Sequence, residues 1–207
     1  MDNLNEISKT IALAMGAGWA SGINLYLAVL MLGLLEITGN ISLPPDLHIL
    51  SNPMVIGAAG LMYLVEFFAD KTPGVDTGWD VIHTFIRIPA GAVLAASAVG
   101  DVNPAVALAA AIAGGSIAAG THAVKSGTRA LINTSPEPFS NWTASITEDL
   151  AVIAGIWTAL YYPWLFITLL VIFILLMIWL LPKIWQGIKK VFSLIVRFFQ
   201  RDKEQGK

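Results

Sequence analysis

The stretch Glu66–Arg87, EFFADKTPGVDTGWDVIHTFIR, decides how the chain is read. It holds Glu66, Asp70, Lys71, Asp76, Asp80, His83 and Arg87, with apolar runs on both sides. Hydrophobic residues make up 56% of the 207 residues and charged residues only 13%. Soluble domains carry about 25% charged residues. A chain this apolar is expected in a bilayer, and the charges of this stretch are then expected to line an interior site rather than a wet surface.

The lengths of the apolar runs force some of that charge into the membrane. A spanning helix needs about 20 mostly apolar residues. Residues 10–35 and 164–181 meet that length without help. The run between Arg87 and Asp101 is too short, so its helix is expected to begin near Asp80 and to carry His83 and Arg87. The next helix is expected to start near Pro104 and to end with His122, Lys125 and Arg129. Tyr161, Tyr162 and Pro163 break the last long run, because proline starts helices and interrupts them. The piece before that break is long enough only if it extends back through Asp149, Glu148 and Ser145. With residues 54–68, the reading is an all-α polytopic membrane protein of about six transmembrane helices. Residues 1–182 form the membrane domain. Residues 183–207 form a basic tail whose Ile184, Ile188, Val191, Phe192, Leu194 and Ile195 mark an amphipathic helix on the inner leaflet.

Lysine and arginine set the orientation. The tail holds Lys183, Lys189, Lys190, Arg197, Arg201, Lys203 and Lys207, whereas residues 36–53, 100–103 and 161–163 hold none. Six spans then place both termini in the cytoplasm of a bacterial inner (plasma) membrane. The start MDNLNEISK is acidic, so the first apolar stretch is expected to be retained as a span and not cleaved.

Helical spacing gathers the polar groups. Tyr63, Glu66 and Asp70 share one face, as do Asp80, His83 and Arg87, and as do His122, Lys125 and Arg129. Ser145, Glu148 and Asp149 cluster at the expected start of the fifth helix, and Ser21 and Asn24 mark a polar break in the first. The candidate binding residues are therefore Asn24, Glu66, Asp70, Lys71, Asp76, Asp80, His83, Arg87, His122, Lys125, Arg129, Glu148 and Asp149. The spacing of His83 and His122 supports no zinc or iron site, and no cofactor is implied. The absence of cysteine excludes disulfides, thiolate metal sites and a thiol nucleophile. GAGWASG is glycine-rich but follows no strand, so the dinucleotide fingerprint does not apply.

Small residues form a second pattern. Gly16, Ala20 and Gly22 align with Gly114, Ala118 and Gly120, and Asn24 aligns with His122. With helices one and four opposed, this suggests a three-plus-three inverted repeat of the kind found in secondary transporters. Pairing KTPGVDTGW with TSPEPFSNW would instead give a direct repeat of hairpins.

Three segments together, ASGINLYL, EFFADKTPGVDTGWDVIHTFIR and NTSPEPFSNWTASITED, resemble an uncharacterised family of bacterial multi-pass membrane proteins, the domain of unknown function DUF4126. The resemblance implies an integral membrane protein and no established activity. Glu66 with Asp70, Lys71 and Thr72 is also similar to the acidic signature of certain divalent-cation exchangers, in which the spacing is one residue shorter.

Two functions follow from these observations. One is a secondary transporter or ion-coupled permease with a polar site near the cytoplasmic ends of its helices, acting on an unknown small solute or ion. The other is a non-transporting scaffold or lipid-interacting protein, with a homodimer as one form it can take, whose charges are structural pairs. No enzymatic centre and no nucleic-acid partner is expected, and the lipid bilayer is the one partner the composition requires.

Overall fold

The computed structural model describes residues 2–72, 75–100, 103–134 and 138–205. Lys207 and the loop positions 73–74, 101–102 and 135–137 lie outside the described residues, and so do the side chains of Ile195, Arg197, Arg201 and Lys203. The described residues are all-α: α1 (Asp2–Ile37), a short 3-10 helix (Pro45–Ser51), α2 (Pro53–Ala69), α3 (Val75–Val99), α4 (Pro104–Ile132), α5 (Pro138–Tyr161) and α6 (Pro163–Gln205). α2, α4, α5 and α6 each begin at a proline, whose fixed φ and missing N–H cost nothing in the first turn. Asn52 and Asn103 cap α2 and α4 by accepting from Met54 N and Ala105 N.

By length and apolarity, Asn3–Ile37, Val75–Val99, Pro104–Ile132 and Pro163–Leu194 suffice to cross a bilayer, and the bent pair Pro45–Ser51 with Pro53–Ala69, at 65°, adds a fifth candidate. α5, which carries Ser145, Glu148 and Asp149, is not among these candidates. Beside an apolar core that includes Leu32, Leu47, Val152 and Ile156, the bundle buries charge and exposes large apolar side chains. Glu66, Arg87 and Arg129 are buried, while Phe68, Phe85, Leu108, Ile112, Leu175 and Trp179 are exposed. That inversion suits a lipid surround.

α1 does not pass through the bundle. Asn24 leaves helical geometry at φ −147 and ψ 94, and its Oδ1 accepts from Leu27 N at 3.0 Å, capping a second arm. In the first arm, Gly16 packs on Ala159, Trp19 on Gly155, and Asn24 donates to Asp149. The arm therefore runs antiparallel to α5. Beyond Asn24 the chain returns, with Gly33 against Leu50 and Ile56 and Tyr161 Oη donating to Asn40 O. Gly16 and Asn40 both lie beside the last turns of α5, while Asn24 lies beside Asp149. At about 1.5 Å per residue, the tip sits roughly 18 Å below that end of α5. α1 is a helical hairpin that enters and leaves on one side.

The expectation of six through-spans with both termini on one side is corrected accordingly. α2 to α6 alternate in direction. The N-terminus, residues 38–52, Gly100 and Tyr162 occupy one end. Residues 70–72, 133–134 and the far end of α6 occupy the other. The pairs Gly120–Met177, Gly127–Ile184 and Gly187–Leu131 show α6 running parallel to α4 toward that second end. The opposed arrangement of helices one and four is also corrected. Gly18 lies on Gly114, Gly22 on Ala118, and Lys125 Nζ donates to Ile23 O, so the first arm runs parallel to α4. α3 and α5 also start earlier than expected, at Val75 and Pro138. Asp76 to Trp79 belong to α3 and Phe139 to Trp142 to α5, so Ser145 lies well inside α5. α6 continues through Pro182, which carries the basic tail as an extension of the last helix.

Candidate functional site

The face of α2 that carries Glu66 and Asp70 meets the face of α3 that carries Asp80 and Arg87, and the face of α4 that carries Lys125 and Arg129. α5 supplies Glu148 from the fourth side. Arg87 donates from one terminal nitrogen to Glu66 at 2.6 Å and from the other to Asp80 at 3.1 Å. Lys125 Nζ lies 2.9 Å from Asp70, 3.4 Å from Glu66 and 3.4 Å from Glu148. Arg129 holds Glu148 through Nε and a terminal nitrogen at 3.1 and 2.8 Å, and lies 3.6 Å from Asp70. The side chain of Glu66 is 0% exposed and that of Glu148 19%, so Glu148 is the member nearest the outside.

The hairpin tip rests on this cluster. Asn24 Nδ2 donates to Asp149 at 3.0 Å and Tyr63 Oη to its other oxygen at 3.1 Å. Lys125 donates to Ile23 O at 3.0 Å, satisfying a carbonyl that the break at Asn24 frees. Ser21 donates to Arg87 O at 2.7 Å.

The histidines lie at the edges of the cluster. His122 Nδ1 accepts from Arg87 at 3.1 Å, and its Nε2 faces Asp80 O at 3.1 Å and Thr84 Oγ1 at 2.8 Å. That set of partners suits a neutral ring protonated on Nε2. His83 donates from Nδ1 to Trp79 O at 2.9 Å and accepts from Tyr26 at 3.0 Å. It stacks on Trp79.

Asp76 accepts from Asn133 Nδ2 at both oxygens. Asn141 donates to Asn133 Oδ1, and Arg129 donates to Asn141. Asp76 is thus tied to the cluster through two amides. Lys71 stands apart from the central pairs: it donates to Ser145 Oγ and lies 2.9 Å from the Phe67 ring centroid. Burial pushes its ammonium below the usual lysine range.

Of the thirteen expected positions, Glu66, Asp70, Asp76, Asp80, Arg87, His122, Lys125, Arg129 and Glu148 are joined by ion pairs or hydrogen bonds, Asp76 through Asn133 and Asn141. Asn24 and Asp149 pair beside them, and Lys71 and His83 make their contacts to Ser145, Trp79 and Tyr26 instead. Tyr26, Thr84, Asn133 and Asn141 were missed, being neutral side chains in segments read for other features. Glu66 Oε2, Asp70 Oδ1, Asp80 Oδ2, Arg87 Nε and Thr121 Oγ1 are buried without a hydrogen-bond partner. Among the described residues no group of three or more histidines, aspartates or glutamates has a metal-holding arrangement.

No curated protein and no solved structure matches the chain. The family described as Domain of unknown function (DUF4126) matches residues 11–183. The apolar helical chain, with its buried network of acids and bases, therefore belongs to the DUF4126 family.

Proposed function

We propose that the protein is a small ion-coupled permease of the bacterial plasma membrane, with a proton as the coupling ion at the buried cluster. One observation carries this reading: four carboxylates, Glu66, Asp70, Asp80 and Glu148, share three cations, Arg87, Lys125 and Arg129. One negative charge is left over where unpaired charge is costly. Protonating one carboxylate removes the excess. Glu66 Oε2 and Asp80 Oδ2, both without partners, are places to put the proton. A helix broken at a polar residue beside such a site is a recurring arrangement in secondary transporters.

Lys183, Lys189 and Lys190 follow the last apolar run, so the positive-inside rule puts the far end of α6 in the cytoplasm. Five crossings and a hairpin then put the N-terminus outside, on the same side as residues 38–52. The lack of cysteine gives a clean background for checking this. On intact cells, an impermeant thiol reagent is expected to label Asn3→Cys and Ser42→Cys and to spare Thr77→Cys and Ser140→Cys. A silent Asn3→Cys beside a labelled Ser42→Cys would restore the through-span.

Glu66→Gln tests coupling. The amide mimics a protonated acid and balances the linked charges, so the variant is expected to fold, melt like wild type and lose pH-driven flux in proteoliposomes. A competing reading, a non-transporting scaffold, is favoured by the directness of the ion pairs. On that reading Glu66→Gln weakens Arg87 and lowers the melting temperature, and wild type shows no flux.

A further inference from the structure

A cleft lies against the buried cluster, between α4, α5 and α6. Its volume is about 180 Å³, and it is lined by Lys125, Thr121 and Thr128 of α4, Thr147 and Glu148 of α5, and Ile23 beside the hairpin tip. Its floor also includes Ala151 and Phe173. The same two residues line a second cavity of about 250 Å³, bounded by Trp19, Gly155, Phe166 and Leu170. That second cavity is apolar and runs between α5 and α6. A cleft with Lys125 and Glu148 at its edge and an apolar groove thus share a wall, and an amphiphile fits that pairing: head at Glu148, chain against α5 and α6.

The lining selects the head. Lys125 is already engaged by Ile23 O and Asp70, with Glu66 and Glu148 at 3.4 Å, so it has little left to offer an anion. Glu148 is the most exposed member of the cluster, and the linked set holds one more acid than base. Thr121 Oγ1 is buried in the cleft wall without a partner, and a buried hydroxyl of this kind gains from a polar ligand group. A cationic head that donates hydrogen bonds satisfies both. We infer that the cleft binds a membrane lipid with a primary ammonium head, of the phosphatidylethanolamine type, with its ammonium at Glu148 and Thr121 and an acyl chain in the α5–α6 groove. This names the solute for the permease reading and rests on it for any movement, but binding is measurable without flux.

The probes are phosphatidylethanolamine, phosphatidylcholine and phosphatidylglycerol with identical chains, added to delipidated protein in detergent and counted by native mass spectrometry. Phosphatidylethanolamine is expected to be retained about tenfold over the other two, the value of one charge-assisted hydrogen bond. Phosphatidylcholine keeps the charge but has no N–H. Glu148→Gln is expected to bring the three lipids level. Because Glu148 also holds Arg129, Thr121→Val provides an independent check: its hydroxyl has no protein partner to lose, and the preference should shrink while the melting temperature holds. Glycerophosphoethanolamine, the head without chains, should not displace the lipid. Equal retention of all three lipids, preference for phosphatidylglycerol, or displacement by the soluble head overturns the assignment. Selective retention without any proton-coupled flux leaves the lipid site standing and removes the permease. Flux without selective retention does the reverse.

Discussion

Replacing Arg87 with methionine is expected to destabilise the protein by about 3–5 kcal/mol, the usual cost of removing one partner from a buried ion pair. Arg87 bridges Glu66 and Asp80, and its side chain is 0% exposed. Its loss would leave two acids facing one another with only Lys125 within 4 Å of Glu66. Total stabilities of about 5–15 kcal/mol make such a loss easy to see as a lower melting temperature in detergent. The charge logic also predicts the rescue. Arg87→Met combined with Glu66→Gln and Asp80→Asn removes the stranded charges and should recover most of the lost stability. If the triple variant melts no higher than Arg87→Met, the damage lies in packing around His122 and Ser21, and the electrostatic account of this corner fails.

Much of the site was legible because helical spacing is a strong constraint. Glu66 with Asp70, Asp80 with Arg87, and Lys125 with Arg129 are four or seven residues apart, so any helical reading puts them on shared faces. The shortage of apolar residues around them required those faces to point inward. The direction of the chain through Asn24 was not legible. A single asparagine in a long apolar run reads as a polar spot on a spanning helix. Only its two partners, Leu27 N along the chain and Asp149 across the bundle, convert it into a turn. That one residue sets the end of the bundle at which the N-terminus lies. The starts of α3 and α5 were also hidden. Pro73 and Pro136 signal loops, but Asp76 with Asn133, and Asn141 with Arg129, supply distant partners that hold the first turns of both helices.

Contact gives the glycine alignment between α1 and α4 a physical basis that needs no repeat. Both stretches are small because they touch. A Cβ on Gly22 would lie 2.5 Å from Ala118 O and 2.8 Å from Thr121 Cβ, and one on Gly18 would lie 2.8 Å from Gly114 Cα. Small faces that meet are the ordinary basis of close helix packing in membranes, and two such faces look alike whether or not they share ancestry.

Gly22→Leu is therefore expected to be as damaging as the loss of Arg87, by a different route. The obstacle at Gly22 is backbone, which cannot rotate away, so α1 has to move off α4. Overpacking of this kind costs about 1–3 kcal/mol by itself. The displacement adds to it, because Ile23 O, one residue on, is held by Lys125 at 3.0 Å, and Asn24, two residues on, is held to Asp149 at 3.0 Å. Pulling the tip away leaves both groups buried and unpaired, at about 1–3 kcal/mol for each. Gly57 is the control. A Cβ there meets nothing within 4 Å, and alanine is a better helix former than glycine by about 1 kcal/mol. Gly57→Ala should thus hold or raise the melting temperature while Gly22→Leu collapses it. Because the second substitution acts at the hairpin tip, it should also unsettle the cluster beneath. Hydrogen exchange is expected to rise at Leu27 and along the second arm while α6 stays protected. Uniform loss of protection across all helices would mean that the hairpin is not a separate element but part of one cooperative bundle.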